Sequence, residues 1–244
     1  MEEIEQLMNR LVADADRIVA SPSTIEDLIK QGVPFDQPPK YTLEESLNIL
    51  FDERKKAALQ LAKQLPTPPN IAVPFVILLY NEIRECIIFS LHGAAITLSG
   101  ILIEFVLKYA THILEMRGKF DNKQWEDFEE ITLDKAINRA AKIGLLNEKE
   151  VKKLKNFKNE VRNPYNHYNV KKITKSVIVR KVKILNVYNK KITEQDIAAK
   201  DDPVIQAQVK PFVDAKKVSS VFNFADQVVK EMFIRMNQAC PPLH

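Results

Sequence analysis

The sequence predicts an all-α fold, an antiparallel helical bundle with an N-terminal helical extension and a small β insertion before the last helix. Three observations carry that expectation. Only five glycines occur in 244 residues, beside long runs of Leu, Ile, Lys, Glu and Ala, which favours helices over a many-turned β fold. Residues 218, 221, 222, 225, 228, 229, 232 and 233 are all apolar, a stripe at helical spacing. The stretch "SVIVRKVKILNVYN" at 176–189 is dense in Val and Ile, a strand signal just ahead of that stripe.

Residues 1–65 read as the helical extension. Residues 1–20 are amphipathic, Ser or Thr before Glu26 and Asp27 opens a second helix, Gly32 stops it, and 33–41 form a loop. Thr42 and Glu45 make a capping box for a third helix that runs to about Leu65. "PTPPN" at 66–70 is a break. Residues 71–244 read as the bundle. From Ile71 to Met116 lies its most apolar part, opened near Pro74, with a long helix whose break points are Gly93 or Gly100. "RGKFDNKQ" is a turn, and "WEDFEE" a short helical piece. Thr132 caps the next helix, Asp134 lies in its first turn and Gly144 ends it. Asn147 with Glu150 opens another, which is expected to stop at Asn163 because a residue before proline avoids the α region. The β insertion, at about 176–213, reads either as a strand or as a hairpin completed by "IQAQVKPFV", with "TEQDIAAKDDP" as a polar connector. The last helix covers 215–236.

Residues 86–103 are apolar for a length that spans a bilayer, with His92 the one titratable side chain among them. Glu82, Arg84 and Glu85 on one side and Glu104 and Lys108 on the other favour a buried central helix, so no membrane partner is expected. Cys86 and Cys240 are the only cysteines, with no metal-ligand spacing, and the acidic, amphipathic start is unlike a targeting peptide; a reducing cytoplasm is the expected location. Charge is concentrated. Residues 152–183 hold eleven Lys or Arg and one acid, Glu160, a local +10 in a chain of net +4. That segment reads either as a polyanion contact or as a solvated lysine-rich face.

Within it stands "NEVRNPYNHYN", residues 159–169. If the helix ends near Asn163, the chain can turn and bring His167 beside Arg162. A guanidinium holds phosphate in a fixed fork, and an imidazole moves protons near neutral pH. Together they suit metal-free phosphodiester cleavage in RNA, whose 2′-hydroxyl is its own nucleophile. The bland alternative is a helix end whose positive groups meet the macrodipole. No acidic cluster suggests a metal, and no cofactor is expected. One His leaves the acid–base pair incomplete, which a two-fold dimer would remedy.

"RNPYNH" resembles the signature of HEPN domains, an Arg, a polar residue, a spacer and a His. "TLDKAINRAAKIGLLNEKEVKKLKNFKNEVRNPYNHYN" is similar to the segment leading to that signature, and "SLHGAAITLSGILIEFVLKYA" resembles the family's central helix. The resemblance covers about residues 75–170. It implies a helical bundle that dimerises and a metal-independent endoribonuclease, often a toxin or an antiphage-defence effector, with an antitoxin or defence-system partner protein. It matches Arg162, His167 and the polar Asn163 to the catalytic positions. Other members are non-catalytic modules that bind RNA, nucleotide or protein, which remains the alternative.

Around these, Lys155, Lys158, Asn159, Tyr165, Asn166, Lys171 and Lys172 are the candidate RNA-binding residues. Tyr165 and Tyr168 offer rings on which bases stack. Glu104 is either the i,i+4 partner of Lys108 or a carboxylate that orients Arg162 or His167. His92 reads as a hydrogen-bonded core histidine, and His112 either as a surface one or as one that backs the site residues.

Overall fold

The computed structural model describes residues 43–185 and 192–240. The readings made for residues 1–42 lie outside the described residues. The chain divides into two compact units, 1–51 and 52–244, and of the first only the opening turns of helix α1 (Leu43–Gln64) are described. At the far end of α1, Arg84 donates to the carbonyls of Leu65 at 2.9 Å, Ala62 at 3.3 Å and Pro66. A cation thus meets carbonyls that a helix terminus leaves open.

Helix α2 (Pro74–Ile88) has proline in its first turn, where the missing N–H costs nothing. It turns back through Phe89–Leu91, with Ser90 at φ 60°, into α3 (His92–Glu115). The break therefore comes just before Gly93, and Gly100 interrupts nothing. By length and composition α3 is able to cross a membrane. In this structure it is the core helix, packed by α2, by α5 (Leu133–Lys142) and by the last helix, α9 (Pro203–Ala239). Ile96, Leu102, Ile103 and Leu107 of α3 meet Tyr80 and Ile83 of α2, Ile137 of α5 and Phe222 and Val229 of α9, all fully buried. Tyr80 packs edge-on to Phe222 with centroids 4.9 Å apart and donates to Asp226 at 2.7 Å.

Helix α4 (Asn122–Glu130) is capped by Asp121, which accepts from the Gln124 N–H at 3.0 Å. Thr132 caps α5, and Gly144 follows it at φ 77° in the left-handed region glycine favours. Helix α6 (Glu148–Phe157) opens with the predicted capping box, Asn147 and Glu150 each accepting from the other's backbone N–H.

The β insertion differs from its expectation. Strand β1 (Ile178–Leu185) pairs antiparallel with β2 (Ile192–Ala198), the segment read as a polar connector. Strand β2 is exposed from Ile192 to Asp196 and so carries no inward-facing apolar row to announce it. A bulge between Val179 and Val182 puts Lys181 at φ 54°. "IQAQVKPFV" is instead helical and belongs to α9. Asp202 caps that helix by accepting from the Val204 and Ile205 N–H groups, Ile205 and Val209 are buried, and Pro211 is absorbed inside it.

Candidate functional site

Arg162 ends a π-helical turn, Lys158–Arg162, that continues α6 into α7 (Asn163–Asn166). The Asn163 N–H bonds to the Lys158 carbonyl, five residues back, and Asn163 is helical at φ −66°, ψ −45°. The expected stop at Asn163 is therefore incorrect. In an α-helix the ring of Pro164 would strike the carbonyl four residues earlier, and the one-residue-wider π turn lies just where that collision would fall. The helix ends three residues later, ahead of the short α8 (Val170–Ile173). His167 is the C-cap, Tyr168 is left-handed at φ 48°, and the Asn169 and Tyr168 N–H groups bond back to Pro164 at 2.7 Å and Tyr165 at 3.1 Å. This is the doubly bonded end that a left-handed residue closes.

This course decides which side chains meet. Five helical positions lie about 140° apart, so a helix continuous through Pro164 separates Arg162 from His167 rather than folding them together. No hydrogen bond joins the two. His167 is exposed and its side chain bonds to no described residue. The expected return of His167 to Arg162 within one chain does not occur.

Arg162 is instead held by other groups. Its terminal nitrogens donate to Glu104 Oε2 at 2.7 Å and Asn163 Oδ1 at 3.2 Å. With the Asn166 amide oriented to satisfy both its ends, Asn166 accepts from Arg162 Nε and donates to the Arg162 carbonyl, each at 3.2 Å. Glu104 also pairs with Lys108 at 3.0 Å, and Lys108 donates to the Glu129 carbonyl at 3.0 Å. The side chains of Arg162, Glu104 and Lys108 are 22%, 15% and 10% exposed, so the triad is mostly shielded and carries a net +1. Both readings of Glu104 hold at once, since it is Lys108's i,i+4 partner and the carboxylate that orients Arg162. Beneath Arg162, a Cβ on Gly100 would lie 3.0 Å from the Arg162 Cγ and 3.9 Å from its Cα. A side chain at position 100 would make the stem of Arg162 give way by a few tenths of an ångström.

Of the remaining predicted residues, Asn159, Lys171 and Lys172 are exposed and Lys155 is half-buried. Lys158 is engaged by Asp134, whose carboxyl it holds below the usual carboxylate range. Tyr165 is not a stacking surface. It is buried, and its hydroxyl donates to Asp214 at 2.6 Å. Burial, and then the Asp214 carboxylate, push its ionisation far above the ordinary phenol value. The exposed ring of this turn is Tyr168. His112 is not on the surface either. It is fully buried among Phe120, Trp125 and Phe128, and its Nε2 accepts from the Asp121 N–H at 3.1 Å. Burial lowers its pKa.

Sequence reasoning missed Lys210, whose Nζ lies 2.5 Å from Asp214 Oδ2, and Asp214 itself. One signal was available, since Asp214 is the only acid between Pro203 and Ala225. Among the described residues, no three His, Cys, Asp or Glu side chains gather in a way that could hold a metal ion. Compared with known proteins, the chain matches no family model, no curated protein and no solved structure.

Proposed function

We propose that the chain is a metal-independent endoribonuclease of HEPN type, acting as a homodimer and serving as a toxin or antiphage-defence effector. The observation that carries this reading is a guanidinium fixed by Glu104, Asn163 and Asn166, five residues before an exposed His167 whose side chain has no hydrogen-bond partner among the described residues. An Arg has five N–H donors, so three bonds leave two for a phosphate oxygen. The exposed lysines of the basic segment supply attraction for RNA. Arg162 would hold the phosphate and offset its developing charge, while His167 would move a proton between the 2′-hydroxyl and the leaving oxygen. The product carries a 2′,3′-cyclic phosphate.

Because one chain does not pair its own Arg162 with its own His167, the site needs a second copy. A surface for that copy lies beside it. Phe75, Leu78 and Ile101 are exposed, Phe105 packs on Phe75 with centroids 6.2 Å apart, and the Ile101–Phe105 row of α3 adjoins the Gly100–Glu104 row that carries Arg162. Contiguous exposed apolar groups of this kind mark interaction surfaces.

The test is RNA cleavage in EDTA by the wild type, Arg162→Ala, His167→Ala and an equimolar mixture of the two variants refolded together. Cleavage lost in each variant and partly regained in the mixture is the expected result. Equal residual cleavage in all samples refutes it. The second reading is a non-catalytic HEPN module that binds RNA, nucleotide or a protein partner through the same face. The absence of an Arg162–His167 contact in the chain favours it, and RNA binding without cleavage in the same assay would select it.

A further inference from the structure

The turn that carries His167 is gripped on both sides from α9. Two residues before it, Tyr165 donates its hydroxyl to Asp214 Oδ1 at 2.6 Å. The other oxygen of Asp214 takes Lys210 Nζ at 2.5 Å. That same ammonium lies 5.5 Å from the centroid of the Tyr165 ring and 5.2 Å from that of Tyr168, the residue after His167. Both distances fall within cation–π range. Asp214 is 4% exposed and Tyr165 6%, so this is an interior clamp. Its far side rests on the first turn of α3, where a Cβ on Gly93 would meet Asp214 Oδ2 at 2.9 Å and Lys210 Nζ at 3.2 Å. No larger residue fits there without moving the pair.

The consequence for the turn is specific. Arg162, Asn163, Tyr165, Asn166 and Tyr168 all have side-chain partners, whereas the imidazole between them has none among the described residues. Tyr168 is also held in the left-handed region, which disfavours a side chain, and Lys210 lies against its ring. We propose that Asp214 and Lys210 are positioning residues that fix the backbone on either side of His167 and leave its ring free to move a proton. The proposal rests on the reading of His167 as the proton-transfer group.

The experiment uses the full chain with Tyr165→Phe, Lys210→Met, Lys210→Arg and Asp214→Asn, and Lys216→Met as an exposed control on the same helix. Histidine ring NMR signals are recorded, with His167 identified by its loss in His167→Gln, alongside kcat and KM for EDTA-resistant RNA cleavage. Tyr165→Phe and Lys210→Met are expected to shift or broaden the His167 signal and to lower kcat by roughly tenfold or more, as small misplacements of a reacting group do. KM should stay within about twofold, because the loss falls on the reacting geometry. Lys210→Arg should retain most of both readouts, and Lys216→Met all of both. Folded Tyr165→Phe and Lys210→Met proteins with wild-type His167 signals overturn the proposal, as does an equal effect from Lys216→Met. Tyr165→Phe removes one hydroxyl and keeps the test open should Asp214→Asn fail to fold. A wild type that cleaves no RNA removes the ribonuclease reading, and the His167 signals still decide the positioning.

Discussion

Replacing Glu104 by Gln keeps the shape of the side chain and removes its charge. Glu104 accepts from Arg162 at 2.7 Å and from Lys108 at 3.0 Å. The amide of Gln has one acceptor oxygen and presents N–H groups at its other end. One of the two cations therefore loses its partner and faces a donor. Hydrogen bonds to charged groups contribute about 1.5–3 kcal/mol, and breaking a fully buried pair costs about 3–5 kcal/mol. The 10–22% exposure of these side chains lets water recover part of that, which sets the expected loss at about 2–3 kcal/mol. For a chain of this size each kcal/mol moves the melting temperature by about 2–4 °C, so a fall of roughly 5–10 °C is expected. The assay is urea unfolding followed by circular dichroism at pH 7 for Glu104→Gln, Arg162→Met and the double variant. The pair should couple by about 1.5–3 kcal/mol, with little dependence on salt because the contact is shielded from solvent. Additivity within about 0.5 kcal/mol would falsify the claim that Glu104 holds Arg162.

Two further predictions concern the fold. Burial depresses the His112 pKa, so the unfolded chain binds its proton at higher pH than the folded one. The stability it contributes is full above the unfolded value of about 6.5 and is lost as pH falls from there toward the folded pKa. His112→Gln should flatten that part of a urea-midpoint profile between pH 7 and pH 5. The loss below about pH 4, where Asp134 and Glu150 are held under the usual range, should persist in the variant. Phe222→Ala removes a fully buried ring that packs against Tyr80 and should cost about 3–5 kcal/mol in urea unfolding; a loss below about 1 kcal/mol would mean the core closes over the gap.

The sequence made the capped helices legible, because caps are local. Thr132, Asn147 with Glu150, and Gly144 act within four residues of themselves. What it hid depends on contacts made elsewhere. Pro164 read as a stop by every local rule, and only a π turn reconciles it with a continuing helix. "IQAQVKPFV", which contains Pro211, read as the strand that completes the hairpin, yet Asp202 and the buried Ile205 and Val209 extend α9 to Pro203. Tyr165, which reads as a ring offered to bases, is turned inward by a carboxylate 49 residues away. His112 stands near polar residues in sequence but is enclosed by rings from the following turn and α4.

The site residues among these depend on α3. As a string, 92–115 is an apolar run whose two glycines suggest breaks. As a helix, Gly93, Gly100, Glu104 and Lys108 fall within one quarter of its circumference. Gly93 admits the Asp214–Lys210 pair, Gly100 admits the stem of Arg162, Glu104 binds its guanidinium, and Lys108 steadies Glu104. Two glycines that would weaken an isolated helix by about 1 kcal/mol each are therefore points of close approach. The floor of the candidate site is a single face of the most buried helix, and the residues that complete it come from α9 and the π turn. A motif search centred on Arg162 and His167 sees only the edge of that arrangement. The identity of position 100 becomes a physical criterion for chains carrying a similar motif. A side chain there would press on the stem of Arg162, which would have to shift to keep its bond to Glu104.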